Sequence, residues 1–358
     1  MKKPLIHLLS FLLFLSSPVC ADECPPLAGG LRVTASGDVL VHEAIYRPVI
    51  SHPRRFKILW ADLIPTIAAA DFAVANLEGP TAPGLLSGGR AAADPGFVYD
   101  GRVYSGTNMI FNYHPFLLRD LQDSGFDLLT TANNHSLDRG GVGVDRTIEE
   151  LLKIDMPFAG TRRRGSEDPA WREVTVKSQR LAVISCTEMT NGWPDPHRQV
   201  VACGGSEVLR AIETLKNRAD AILIFPHWGA EYQLRPNSRQ RAWAKEWIAA
   251  GAAAVIGNHP HVLQTVEWFR TSDGRQAPVI YSLGNFVAAQ GAMEKRVSAL
   301  AHLDFLPTPA GLEVAQFSYT PTHRPRGSVA HERLSLSRGG QALISYVEKQ
   351  LGPKICRE

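Results

Sequence analysis

Apolar positions recur along this chain with two periods. Short, almost continuous runs of Val, Ile, Leu and Ala at residues 31–37, 71–77, 127–132, 221–225 and 253–257 have the length and character of buried strands. Between them the spacing turns helical. Residues 114–123 begin with Pro115, place Leu117, Leu118 and Leu121 on one side and close at Gly125. Residues 144–152 align Val144, Ile148, Leu151 and Leu152, and residues 206–217 predict a further helix. Residues 238–250 set Trp243 and Trp247 one turn apart before Gly251. Residues 173–185 read as a strand pair turning near Lys177-Ser178-Gln179, and 265–270 and 278–283 as strands flanking Ser272-Asp273-Gly274. Strands alternating with helices predict a layered α/β fold. Two stretches break the pattern. Residues 81–113 predict one long irregular insertion of the lid or binding-loop kind. Residues 306–330, with several prolines, predict a surface connection ahead of a final helix at 341–351.

Composition narrows the class without naming a function. The 358 residues are 44% hydrophobic and 20% charged, which excludes collagen-like, coiled-coil and disordered chains. The formal charge is +3, and Lys2 and Lys3 supply two of those charges, so no basic footprint for nucleic acid remains beyond residue 21. Residues 1–21 have the order of a secretion signal: two lysines, a mostly apolar run from Leu5 to Leu15 interrupted by His7 and Ser10, then Val19-Cys20-Ala21. The expected location is periplasmic or extracellular after cleavage. The alternative is an uncleaved anchor, disfavoured because the run is well short of the ~20 residues a spanning helix needs. In an oxidising compartment Cys24, Cys186, Cys203 and Cys356 would pair. Of three connectivities, Cys186–Cys203 with Cys24–Cys356 is favoured, and the lack of a C-x-x-C pair argues against a thiolate metal site.

The chemistry gathers where the strands stop. Five apolar runs end in residues able to bind a metal: Asp38, Glu78 with Asn76, Asn134-His135, His227, and His259-Pro260-His261. Ligands of α/β sheets bind beyond the carboxyl ends of strands, where the loops converge. Any one of these residues alone reads as a turn former or a helix cap; five together do not. Carboxylate, carboxamide and imidazole donors suit Mn²⁺, Fe²⁺ or Zn²⁺ better than thiophilic ions. One carboxylate can bridge two ions ~3.5–4 Å apart, and an H-x-H pair can send one imidazole to each. No G-x-S-x-G elbow, P-loop or H-E-x-x-H motif competes with this reading.

Six ordered motifs then resemble one family. Gly37-Asp38, Asn76-Leu77-Glu78, Ala132 to Asp138 (ANNHSLD), His227 to Tyr232 (HWGAEY), Gly257 to Val262 (GNHPHV) and Tyr281 to Phe286 (YSLGNF) are similar, in order and spacing, to the CapA family of capsule-synthesis proteins. That family is associated with poly-γ-glutamate capsule assembly and related to calcineurin-like metallophosphoesterases. The resemblance spans residues 31–290, leaving 291–358 as a C-terminal extension packing on that domain. It implies a four-layer α/β/β/α sandwich with two divalent ions at the sheet ends. Asp38 and His261 would serve one ion, Asn134, His227 and His259 the other, and Glu78 would bridge where Asp is usual. His135 would protonate the leaving group, oriented by Asp138. The relatives' first motif is D-x-H, whereas three residues separate Asp38 from His42 here, so His42 is either a ligand or a loop residue.

Around this core, Asn76, Glu231, Asn285 and Arg139 are candidates for contacting substrate, with Arg90 and Arg102 as further guanidinium forks for an anion. Tyr232 reads equally as pocket wall or packing, and His52, His197, His302, His323 and His331 as surface or structural. The expected activity is metal-dependent hydrolysis of a phosphoester or an anionic envelope polymer. The alternative is a protein that binds or tethers such a polymer within a membrane-bound synthesis complex without turning it over.

Overall fold

The computed structural model describes residues 24–272, 274–309, 311–335 and 340–355. The segment read as a secretion signal, Cys356 with its expected bond to Cys24, and Asp273 of the expected turn lie outside the described residues.

Two sheets form the centre. The first follows the order Glu332–Arg333, Gly311–His323, Val297–Thr308, Leu31–Val39, Phe72–Leu77, Leu128–Thr130 and Phe158–Ala159, with Asn285–Val287 paired beside Leu31–Val39. The second runs Val266–Arg270, Gln276–Ile280, Ala254–Ile256, Ala221–His227, Gln179–Thr187 and Arg172–Val176. The strands from Leu31–Val39 to Phe158–Ala159 are parallel, as are the four inner strands of the second sheet. Their carboxyl ends therefore reach a common edge.

Side-chain alternation assigns the layers. Leu31, Val33, Phe72 and Val74 of the first sheet share one apolar cluster with Leu181, Val183, Leu223 and Ile256 of the second, so the sheets pack face to face. On the first sheet's other face, Ala73, Leu77 and Leu129 meet Tyr46, Leu117 and Ile148 from the helices Glu43–Ile50, Phe116–Gln122 and Gly140–Leu152. On the second sheet's other face, Ala182, Ile222 and Val255 meet Ile212 and Trp247 from the helices Glu207–Leu215 and Ser238–Ala250. The result is the expected α/β/β/α sandwich. Local chemistry starts and stops its helices. Asn237 and Gln240 form a reciprocal capping box before Ser238, and Gly251 ends that helix at φ 132°.

One expectation fails. Residues 306–330 are not a surface connection. Val297–Thr308 and Gly311–His323 form a long antiparallel hairpin, and its first strand pairs directly with the first strand of the domain, Leu31 opposite Phe305 and Ala35 opposite Ala301. Pro307 and Pro321 broke the apolar pattern in sequence, and one face of the hairpin is polar yet buried. His302 sits between Thr34 Oγ1 at 2.9 Å and Thr320 Oγ1 at 2.8 Å. The 81–113 insertion is irregular apart from a 3-10 turn at Ser87–Gly89 and a small hairpin, Ser105–Thr107 against Ile110–Asn112. Cys186 and Cys203 form a disulfide.

Candidate metal centre

The polar strand ends converge where the two sheets meet. Asp38, Asn76 and Glu78 come from two neighbouring strands of the first sheet, and Asn134 and His135 from the turn after a third. His227 ends a strand of the second sheet, and His259 and His261 follow the next one. All eight are buried, none exposed by more than 3%. The loop carrying the two histidines is strained: His259 has φ 98° and His261 φ 57°, conformations L-residues rarely hold. The backbone N–H of His259 donates to Asp38 Oδ2 at 3.2 Å, which helps to hold it there.

Two groups of donor atoms share one carboxylate. Glu78, His227 and His259 each bring one potential ligand atom within 4.8 Å of the others, and so do Asp38, Glu78 and His261. His227 Nε2 lies 3.5 Å from Glu78 Oε1, 3.0 Å from His259 Nδ1 and 2.8 Å from Asn134 Oδ1. On the other side His261 Nε2 lies 3.8 Å from Glu78 Oε1, and His261 Nδ1 is 3.2 Å from Asp38 Oδ2. His42 belongs to neither group; its Nδ1 faces the Leu40 carbonyl at 3.0 Å.

The fit to cations can be tested on atoms that lack protein partners. Both carboxylate oxygens of Glu78 and Nε2 of His261 are buried without a hydrogen bond. A buried carboxylate with no donor is unfavourable by several kcal/mol in order of magnitude unless a cation neutralises it. Accordingly the Glu78 carboxyl is pushed well above its ordinary range, by burial first and then by Asp38, Glu231 and Asp138. Burial, with the other histidines around them, pushes His227 well down and His259 down to about 4. An imidazole nitrogen without a protein partner beside a carboxylate oxygen, as at His261 Nε2, is what a divalent cation requires of a ligand.

The model of the family "Bacterial capsule synthesis protein PGA_cap" matches residues 32–290. The chain belongs to this family. It is 30% identical over 190 residues to the capsule biosynthesis protein CapA of Bacillus anthracis, and 32% over 186 residues to the PGA biosynthesis protein CapA of Bacillus subtilis. Those matches cover 51% and 50% of this chain but 45% and 47% of the relatives, so it spans about half of each. A putative 5'-nucleotidase of Staphylococcus aureus shares the fold at TM-score 0.50 and 16% identity, over 89% of this chain and 58% of that one.

Within this PGA_cap chain, His135 and Asp138 form a buried pair. Asp138 Oδ2 lies 2.9 Å from His135 Nδ1 and also accepts from the Phe111 N–H at 2.6 Å. Phe111, from the insertion hairpin, sets its ring edge-on to His135 at 4.7 Å. His135 Nε2 is buried and free of partners. Tyr113, also from the insertion, donates to the Glu78 carbonyl at 2.8 Å. The insertion therefore braces both Glu78 and the His135 pair, a role its irregular sequence did not announce.

Three residues expected to contact substrate are committed to the protein instead. Asn76 donates to Asp38 Oδ1 at 2.8 Å, lies 3.2 Å from His227 Nδ1 and accepts from Thr130, so it fixes two candidate ligands. Asn285 has Oδ1 3.0 Å from His261 Nδ1, and its amide donates to the carbonyls of His261 and Lys295 and to Gln290. Arg139 is 1% exposed and donates to Leu85, Asp138, Arg102 and Val103 carbonyls and to Ser105 Oγ. Glu231 stays near the rim, close enough to act on Glu78 and His259. Beside it Tyr232 is 38% exposed, with Lys295 Nζ 3.1 Å from its ring centre. Lys295 carried no signal in sequence, because only the fold brings its segment to the histidine loop.

Proposed function

We propose that the protein is an exported, metal-dependent hydrolase of the phosphoesterase type that acts on an anionic ester or envelope polymer in capsule synthesis. One observation carries the reading: Glu78 lies between two sets of cation-binding atoms with both of its own oxygens buried and unpartnered. Asp38 and His261 would hold one divalent ion, Asn134, His227 and His259 the other, and Glu78 both. Such ions supply Lewis acidity toward a phosphoryl oxygen and make water more acidic.

The chain's own residues then have separate tasks. Asn285 Oδ1 holds Nδ1 of His261 and leaves its Nε2 to point at Glu78, while Asn76 contacts Nδ1 of His227 and fixes the orientation of that ring. Asp138 holds Nδ1 of His135, so that the free Nε2 can deliver a proton to a leaving oxygen. The burial of the cluster keeps its polar atoms in a low-dielectric setting, where each acts more strongly than in water. Export is supported by the Cys186–Cys203 disulfide, a bond that persists in oxidising compartments. Among the described residues no helix is long and apolar enough to cross a membrane.

The test combines elemental analysis with release of p-nitrophenol from p-nitrophenyl phosphate in the presence of Mn²⁺. The expected result is bound metal and turnover, both lost in His227→Ala. Full activity in that variant refutes the site, and metal without turnover on esters or polymer favours the tethering role.

A further inference from the structure

A cavity of about 240 Å³ opens on the insertion and is walled by Arg90, Arg102, Arg139, Ser105, Thr107 and Asn108, with Leu86 and Ile110 beside them. Three guanidinium-bearing residues meet there, together with the hydroxyls of Ser87, Ser105 and Thr107 and a carboxamide, and no acidic residue lines it. The three are not equivalent. Arg139 is buried, its donors are taken by backbone carbonyls, and Asp138 and Asp100 balance its charge. Arg90 and Arg102 are exposed, and among the described residues neither guanidinium has a carboxylate within ion-pairing distance. Their forks are free of ion pairs among the described residues; Asp100 accepts the backbone N–H of Arg102 at 3.1 Å rather than its guanidinium.

We infer that this cavity is an anion subsite, separate from the metal centre, that takes carboxylate or phosphate groups from neighbouring units of a polyanionic chain. The occupant follows from the donor set. Two exposed guanidiniums match two anionic groups, each in a bidentate fork, with hydroxyl and amide donors alongside. The position links the subsite to the candidate chemistry. The hairpin that supplies Ser105, Thr107 and Asn108 to the cavity wall also sends Phe111 against His135, and Arg139 directly follows Asp138. A polyanion held here lies along the flank of the candidate general acid, so a remote unit of the chain is gripped while another reaches the metal centre. This rests on the anionic-substrate part of the proposed function, not on turnover.

The experiment measures binding of a fluorescein-labelled hexaglutamate peptide to the full chain by fluorescence polarisation at low salt. Wild type, Arg90→Ala/Arg102→Ala and His227→Ala are compared, each with Mn²⁺ and with EDTA, and the fold is checked by circular dichroism. The subsite is expected to bind hexaglutamate at least tenfold more weakly in the double arginine variant. Binding should persist in EDTA and in His227→Ala, and free glutamate should compete poorly. Equal affinity in wild type and the double variant overturns the inference. Loss of binding in EDTA and His227→Ala with retention in the double variant assigns the anion to the metal centre and also overturns it. Competition by free glutamate at the concentration of the hexamer removes the polyanion claim. Absence of p-nitrophenyl phosphate turnover with arginine-dependent binding intact defeats the hydrolase reading alone.

Discussion

Glu78→Gln is expected to change the sign of its effect on stability according to whether metal is present. Without ions the wild-type carboxylate is buried with no donor to either oxygen. Its folded-state pKa is raised by burial and by Asp38, Glu231 and Asp138, so the unfolded chain gives up this proton first. The Glu78 contribution to the stability of the ion-free protein must then fall as pH rises above the ordinary carboxyl range, by about 1.4 kcal/mol per pH unit until the folded group itself ionises. Glutamine has nearly the same shape and no charge, and its amide N–H can face His227 Nε2 and His261 Nε2, 3.5 and 3.8 Å from Oε1 in the wild type. In EDTA the variant should therefore be the more stable protein, by a margin that widens from pH 5 to pH 7. With Mn²⁺ at a hundredfold excess over its Kd, the wild type gains about 2.7 kcal/mol by mass action while the variant gains little. Urea unfolding followed by tryptophan fluorescence, at several pH values with EDTA or Mn²⁺, reads both arms, and the difference between the two proteins cancels the other titrating groups. A variant less stable than wild type in EDTA, or stabilised equally by Mn²⁺, refutes the reasoning.

Other outcomes follow from the same geometry. Asp138→Asn should keep its metal by elemental analysis and lose about 10- to 100-fold in kcat on p-nitrophenyl phosphate, because a charge-assisted bond that orients His135 at 2.9 Å is weakened. Gly37→Ala should fold poorly or lose metal, since a Cβ there would collide with the Gly284 carbonyl beside Asp38; differential scanning fluorimetry and metal content check it. Replacing Cys186 and Cys203 by Ala opens a loop of sequence separation 17 and should cost about 3 kcal/mol, lowering the thermal midpoint by on the order of 5 °C. His302 is buried and pushed down to about 3, so the unfolded state binds the extra proton below pH 6.5 and stability falls on acidification from there toward pH 3. His302→Asn should flatten that fall in acid-induced unfolding.

Much of the architecture was legible because the central parallel strands are buried on both faces and read as almost continuous apolar runs. Leu31 and Val33 point to the same inter-sheet core as Leu181 and Val183, and such runs announce buried parallel strands. The helix Gly140–Leu152 begins four residues before its apolar stripe, because Gly140, Gly141 and Gly143 give no periodic signal. The Val297–His323 hairpin escaped notice for a different reason. Its buried polar face, His302 with Thr34 and Thr320, resembles an exposed strand or loop until its partners are known. At the candidate site, the residues that end strands stood out, since chemistry-bearing side chains after apolar runs are conspicuous. What Asn76, Asn285 and Arg139 do was not legible. Amides and guanidiniums serve a ligand or the backbone equally well, and only their neighbours decide which.

Anomalous diffraction from crystals grown with Mn²⁺ tests the metal centre most directly. The expected result is two peaks flanking the Glu78 carboxylate, one beside Asp38 and His261 and the other beside Asn134, His227 and His259. No peak within reach of Glu78, with the cluster otherwise intact, would contradict the dinuclear centre and the chemistry built on it.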